Sequence, residues 1–169
     1  MRFSSTLLAI PAFALAGAAH AAVIDFNDAA IQGSVIDSIS STDGTLTAAI
    51  SATGGSDEAL VFDTTLTGTA DPDLEGPFRP VDSDEAPSFD PGGVLIIQET
   101  AGGAPDDNAG GGSVTFEFSS VLDFVSFNII DGATVTVSSE DTDNVATFSV
   151  AEPPNEEPEN RVFDTFTLG

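Results

Sequence analysis

The sequence predicts an all-β domain, an antiparallel two-sheet β-sandwich or jelly roll over residues 22–169, preceded by a signal-peptide helix at residues 1–21. Three observations predict it. Short runs of β-branched and aromatic residues recur along the chain, either alternating with polar residues or continuously apolar. Clusters of Gly, Pro, Asp and Asn separate them, residues that supply positive φ, fixed φ or side-chain turn bonds. Past residue 21, no stretch carries the 3.6-residue apolar spacing of an amphipathic helix.

The first segment is set apart from the fold. Met1-Arg2, the apolar run Leu7 to Ala19 and the small-residue site Ala19-His20-Ala21 have the layout of a secretory signal peptide cut after Ala21. The run is interrupted by Pro11 and is too short to cross a hydrocarbon layer of about 30 Å. It reads as an address for Sec export, with no membrane insertion after cleavage. The remaining chain has the size of one ordinary domain.

In order, Ala22-Val23-Ile24-Asp25-Phe26 reads as an opening strand ended by Asn27-Asp28, and residues 31–41 receive no assignment. Thr45 to Ser51 is a Thr-rich strand closed by Thr53-Gly54-Gly55-Ser56, and Ala59-Leu60-Val61-Phe62 is a short buried strand. Residues 68–93 form a long structure-poor segment with Pro72, Pro77, Pro80, Pro87 and Pro91 among many acids. Proline removes ladder donors and like charges repel, so such a loop needs a reason to be ordered. Gly93-Val94-Leu95-Ile96-Ile97-Gln98 lacks alternation, which predicts a central strand covered on both faces.

The stretch Pro105-Asp106-Asp107-Asn108 and Gly110-Gly111-Gly112 then joins an acidic knot and a glycine hinge to the alternating strand Ser113 to Phe118. Beyond it, 121–130 and 133–138 flank Asp131-Gly132, the dipeptide of a type I′ hairpin. With 145–150 they predict a three-stranded meander. A proline- and acid-rich hinge at 151–160 precedes a last alternating strand, 161–168.

Composition narrows the chemistry. The chain carries 28 acids and three arginines, no lysine and no cysteine, for a formal net charge of −25. After cleavage, Arg79 and Arg161 are the only cationic side chains and no histidine is left. Nucleic-acid phosphates and anionic membranes are therefore poor partners, because binding them takes clustered Lys and Arg. No disulfide staples the domain. A Ser-His-Asp triad, a cysteine nucleophile, a Schiff-base lysine and a histidine metal site are all ruled out.

What is left is oxygen-ligand chemistry. Asp63, Asp71, Asp73, Asp106, Asp107 and Asn108 form the candidate metal set, with Glu75 nearby. Ca²⁺ is the candidate cofactor, since it takes about six to eight oxygens from carboxylates, amides and backbone carbonyls. The spacing matches no EF-hand loop and no calcium-binding β-solenoid repeat. The competing reading is that these are solvated turn residues of an acidic surface. Carboxylate-pair catalysis on glycosides is the weaker alternative: any acidic chain offers a pair, and Tyr and Trp, the usual sugar-stacking platforms, are absent. Phe78 and Phe89 offer apolar faces for a glycan, or else pin their loop to the core. Arg79 and Arg161 read as ion-pair partners of local acids.

On the export signal, Val23-Ile24-Asp25-Phe26, Leu60-Val61-Phe62-Asp63-Thr64, Asp71-Pro72-Asp73-Leu74, Val94 to Glu99 and Pro105 to Gly112, the chain resembles the exosortase-sorted surface proteins of bacteria, the PEP-CTERM and VPLPA-CTERM type, over most of residues 22–135. The resemblance implies a secreted β-sandwich of galactose-binding-like kind at the cell surface or in the extracellular matrix, with extracellular polysaccharide or envelope glycans as partners. Family members end in a proline motif, an apolar helix and a basic tail, whereas this sequence stops at Thr165-Phe166-Thr167-Leu168-Gly169. The expectation is a freely secreted variant or a C-terminally shortened one, whose open sheet edge would invite association. The functional expectation is a non-catalytic, Ca²⁺-stabilised surface or matrix protein. Its alternative is a metal-free domain whose acidity is an adaptation to salt.

Overall fold

The computed structural model describes residues 21–28, 30–80, 86–122 and 125–130, with the strand backbones at 134–138, 145–149 and 162–168. Among them the only helical element is a single 3-10 turn, Pro72–Leu74; the rest is strand, turn and loop. Among the described residues no helix is long and apolar enough to cross a membrane. The signal segment 1–20, the Asp131-Gly132 turn, Arg161 and the 151–160 hinge lie outside the described residues.

The strands are β1 (Ser38–Ser40), β2 (Thr47–Thr53), β3 (Ala59–Asp63), β4 (Arg79–Pro80), β5 (Gly93–Ile97), β6 (Ser113–Phe118), β7 (Val125–Ile130), β8 (Thr134–Ser138), β9 (Val145–Ser149) and β10 (Val162–Leu168). Their ladders run β1-β2-β6, β3-β5, β4-β10-β7 and β8-β9. All are antiparallel except β4 with β10. The fold is therefore all-β and predominantly antiparallel.

Among the described residues the β3-β5 pair is a two-stranded ladder, so β5 is not the central strand that its unbroken apolar run predicts; β3 is the inner one, between β5 and residues 33–36. Strand periodicity sends successive side chains to opposite faces, and here both faces are covered. Ala59 and Val61 of β3 share a core with Ile36 and Ile50, against which Ile39, Ala52, Leu95 and Val114 pack. Leu60 and Phe62 point the other way and meet Leu74 and Ile96, with Val94 and Ile130 alongside. Residues 33–36 extend the pair along β3, where the Ile36 amide donates to the Ala59 carbonyl and the Val61 amide to the Ser34 carbonyl. On the far edge, Gln98 at the end of β5 bridges Asp107.

Three further local expectations differ from the structure. Residues 22–26 join no ladder: the Val23 carbonyl accepts one bond from Thr42, Phe26 packs against the core, and Asn27 Oδ1 accepts the Gly93 amide at 2.7 Å. The close approach explains Gly93, because a Cβ there would run into the Phe26 carbonyl. The expected meander is also reorganised. β7 pairs with β10 over six positions, Val125 with Leu168 through Ile130 with Phe163, and among the described residues β8 pairs with β9 and not with β7. A distant strand with matching alternation competes with the adjacent one, and local turn signals do not rank them.

The 68–93 segment is the third difference. Its described residues, all but 81–85, are tied down by the 3-10 turn, by β4 against β10, and by Phe78, which is fully buried and exchanges backbone bonds with Phe89 at 2.7 and 2.9 Å. Phe78 pins the loop to the core and offers no face to a glycan.

Candidate functional site

Two loops meet at one edge of the β3-β5 pair. The first leaves β3 at Asp63. Thr64, fully buried, donates its amide to the Gly92 carbonyl, while its carbonyl accepts from Gly76 at 2.7 Å, closing the base of the loop. Further on, Glu75 Oε1 accepts the Thr69 amide at 2.7 Å, and the Thr69 hydroxyl lies 2.7 Å from the Asp71 carbonyl. Leu74 is drawn into the core beside Phe62, which fixes the 3-10 turn and with it Asp71.

Asp71 stands where a residue preceding Pro72 normally caps its own turn. It makes no such cap bond. The residue is only 4% exposed, and its carboxylate turns instead to the second loop, where Oδ2 accepts the Asp107 amide at 3.0 Å.

The second loop is ordered by pairing with the end of β5. The Glu99 amide donates to the Asp106 carbonyl at 3.0 Å and the Asn108 amide to the Ile97 carbonyl at 2.9 Å. Gln98, 1% exposed, fills the inside of the turn: Nε2 donates to the carbonyls of Thr100 at 3.0 Å and Ala104 at 2.8 Å, and Oε1 accepts the Asp106 amide at 3.2 Å.

The result is a cluster in which carboxylate oxygens of Asp71, Asp106 and Asp107 all lie within 4.8 Å of one another, Asp71 buried, Asp106 half-buried and Asp107 exposed. Three of the six expected residues are thus brought together. Asp63 is engaged in its own turn, its Oδ1 accepting the Thr65 amide at 3.0 Å and hydroxyl at 2.7 Å. Asp73 is exposed in the 3-10 turn. The Asn108 side chain serves the glycine hinge, Oδ1 accepting from Gly110 at 3.3 Å and Nδ2 donating to the Gly111 carbonyl.

The chain matches no family model, no curated protein and no solved structure. The site therefore stands on its own geometry.

Three carboxylates this close repel one another. Each pair costs about 0.9 kcal/mol at the dielectric of water and about 3.5 kcal/mol at an effective value of 20. A bound dication would turn that cost into attraction. The donors are all oxygen, which suits a hard cation such as Ca²⁺ and disfavours softer metals. Beside the cluster opens a cleft of about 630 Å³ whose walls include Leu66, Thr67, Thr69, Ala70, Ala104 and Pro105, the chain segments leading into Asp71 and Asp106.

Sequence reading missed Gln98, which it placed only as the last residue of a buried strand. The available signal was a long polar side chain closing a β-branched run, a position where burial demands hydrogen-bond partners. It also missed Asp43. In the β1–β2 turn, Asp43 Oδ1 accepts the hydroxyls of Ser41 and Thr45, both at 2.7 Å, and the Thr45 amide at 3.0 Å. The Ser41 hydroxyl, followed by the Thr45 amide and hydroxyl, holds the Asp43 carboxyl well below its usual range, at about 2.

Proposed function

We propose that this chain is an exported, non-catalytic acidic surface or matrix protein, in which Ca²⁺ held by Asp71, Asp106 and Asp107 ties the 64–76 loop to the 99–108 loop. The observation that carries the reading is the convergence of those three carboxylates from two loops, with Asp71 turned away from its own cap position toward Asp107. In such a site Asp71 is the buried anchor, Asp106 and Asp107 close the coordination from the exposed side, and water completes the six to eight oxygens that Ca²⁺ takes. The ion supplies charge neutralisation and a cross-link; no reaction is assigned to it.

The two-sheet sandwich belongs to the same proposal, supported by the core that β1-β2-β6 and β3-β5 share through Ile36, Ile50, Ala59 and Val61. Export to the cell surface rests on the signal-like residues 1–21 and on the resemblance to exosortase-sorted proteins. For a polysaccharide or envelope glycan, the cleft beside the carboxylates replaces Phe78 as the contact region, because Phe78 is buried.

A second reading, the metal-free salt-adapted domain, is favoured by the Gln98 bonds, which close the 99–106 turn without an ion. Thermal melts in calcium, in chelator and in sodium chloride at matched ionic strength separate the two. The proposal predicts a rise specific to calcium. Equal melting in calcium and sodium would reject the calcium site and leave the salt-adapted domain.

A further inference from the structure

We infer that Gln98 is the positioning residue of the carboxylate site: its buried amide closes the 99–106 turn and delivers Asp106 and Asp107 to Asp71 before any cation arrives. The naming of this site rests on the calcium reading above, but the closure itself does not. An amide side chain offers two N–H donors and a carbonyl oxygen, and here each of them is used inside the protein. Nε2 donates to the Thr100 and Ala104 carbonyls, and Oε1 accepts from Asp106. All three partners belong to the turn; the Thr100 carbonyl also accepts the Gly103 amide, so the side chain's own contribution is to the Ala104 carbonyl and the Asp106 amide.

Gln98 is in turn held rigidly. Its amide donates to the Glu58 carbonyl at 2.9 Å, and its carbonyl accepts both the amide and the hydroxyl of Ser56 at 2.9 Å. Those bonds are available because the chain comes close at Gly55, where φ is +54° and a Cβ would collide with the Gln98 carbonyl. The side chain therefore projects from a fixed backbone at the end of β5, and buried hydrogen-bonded groups of this kind define one arrangement sharply. Asp107, which the Gln98 backbone bridges, places its amide on Asp71 Oδ2. Removing the Gln98 amide while keeping its bulk leaves the Ala104 carbonyl and the Asp106 amide without that partner, while the Thr100 carbonyl keeps the Gly103 amide at 3.0 Å. The first two turn to water, and the backbone bonds of Glu99 to Asp106 and of Asn108 to Ile97 are then all that hold the turn to the end of β5, too few to keep Asp106 and Asp107 closed on Asp71.

The test is amide hydrogen exchange, read by NMR on the full chain and on Gln98→Met, first in chelator and then in millimolar calcium. In chelator, the wild-type amides of Asp106 and Asp107 are expected to be protected by about 100-fold or more over an open chain. In Gln98→Met that protection falls to within about tenfold of the open chain, while the Val61 and Ile36 amides, in β3 and the segment beside it, keep theirs. Leu60→Ala provides the contrast of a merely structural change, lowering protection at all four amides together. The inference is overturned if Gln98→Met leaves Asp106 and Asp107 protected, or lowers Val61 and Ile36 in the same proportion. It is also overturned if the wild-type turn is unprotected in chelator and closes only with calcium, a result that would uphold the calcium site. Protection that depends on Gln98 but is indifferent to calcium would reject the calcium site and uphold this inference. Should Gln98→Met fail to fold, the wild-type measurement in chelator decides alone.

Discussion

Replacing Asp106 with asparagine removes one of three clustered charges while keeping the side-chain volume and the backbone bonds of residue 106 to Gln98 and Glu99. With partner oxygens within 4.8 Å, each of the two repulsions removed is worth about 0.9 kcal/mol in a water-like medium and about 3.5 kcal/mol at an effective dielectric of 20. Asp107 is exposed and Asp106 half-exposed, so solvent and salt pull the sum toward the lower end, to about 1–3 kcal/mol. For a chain of this size each kcal/mol moves Tm by about 2–4 °C. In chelator, Asp106→Asn should therefore melt several degrees above the wild type. Calcium reverses the order. At about 100 times Kd, the wild type gains about 2.7 kcal/mol, or roughly 5–10 °C, while the variant has lost a ligand and gains little. The assay is a pair of melting curves for each protein, followed by circular dichroism. A variant no more stable than wild type in chelator, with the same response to calcium, would refute the argument that these carboxylates repel one another and share an ion.

Other consequences are as specific. Asp63→Asn and Asp73→Asn should leave the calcium response at the wild-type level in the same melts, because one carboxylate is engaged in its own turn and the other is exposed away from the cluster group. Phe62→Ala empties part of the core shared with Leu60, Leu74 and Ile96 and should cost about 3–5 kcal/mol in urea unfolding. The Asp43 carboxyl, followed by carbon-13 NMR, should titrate at about 2 instead of 3.8. Because the folded value is depressed, the stability this group contributes is present above the unfolded value and is lost as pH falls through the folded one. Asp43→Asn should flatten the pH dependence of stability in that acid window.

Strand identity was legible wherever side-chain pattern alone decides it. β3 and β5 announced themselves by uninterrupted apolar runs, and burial of both faces follows from Ala59 and Val61 packing one way and Leu60 and Phe62 the other. Pairing was less legible, since β7 meets β10 across more than thirty intervening residues, and nothing in the alternation of either segment names the other. The acidic knot at 105–108 was visible as composition, and Asp71 as one acid among several in a proline-rich loop. Their meeting depends on Leu74 entering the core and on Gln98 closing its turn, long-range facts with no local signature. Abundance of acids also hides the relevant ones: Asp43, Asp63 and Asp71 look alike in sequence, yet two are engaged in their own turns and the third reaches across to another loop.

The central claim is tested most directly by a crystal structure grown in millimolar calcium. The account predicts one ion per chain at roughly 2.3–2.6 Å from oxygens of Asp71, Asp106 and Asp107. Well-ordered loops around these residues with only water between them, or an ion bound instead at Asp43 or Asp63, would contradict it.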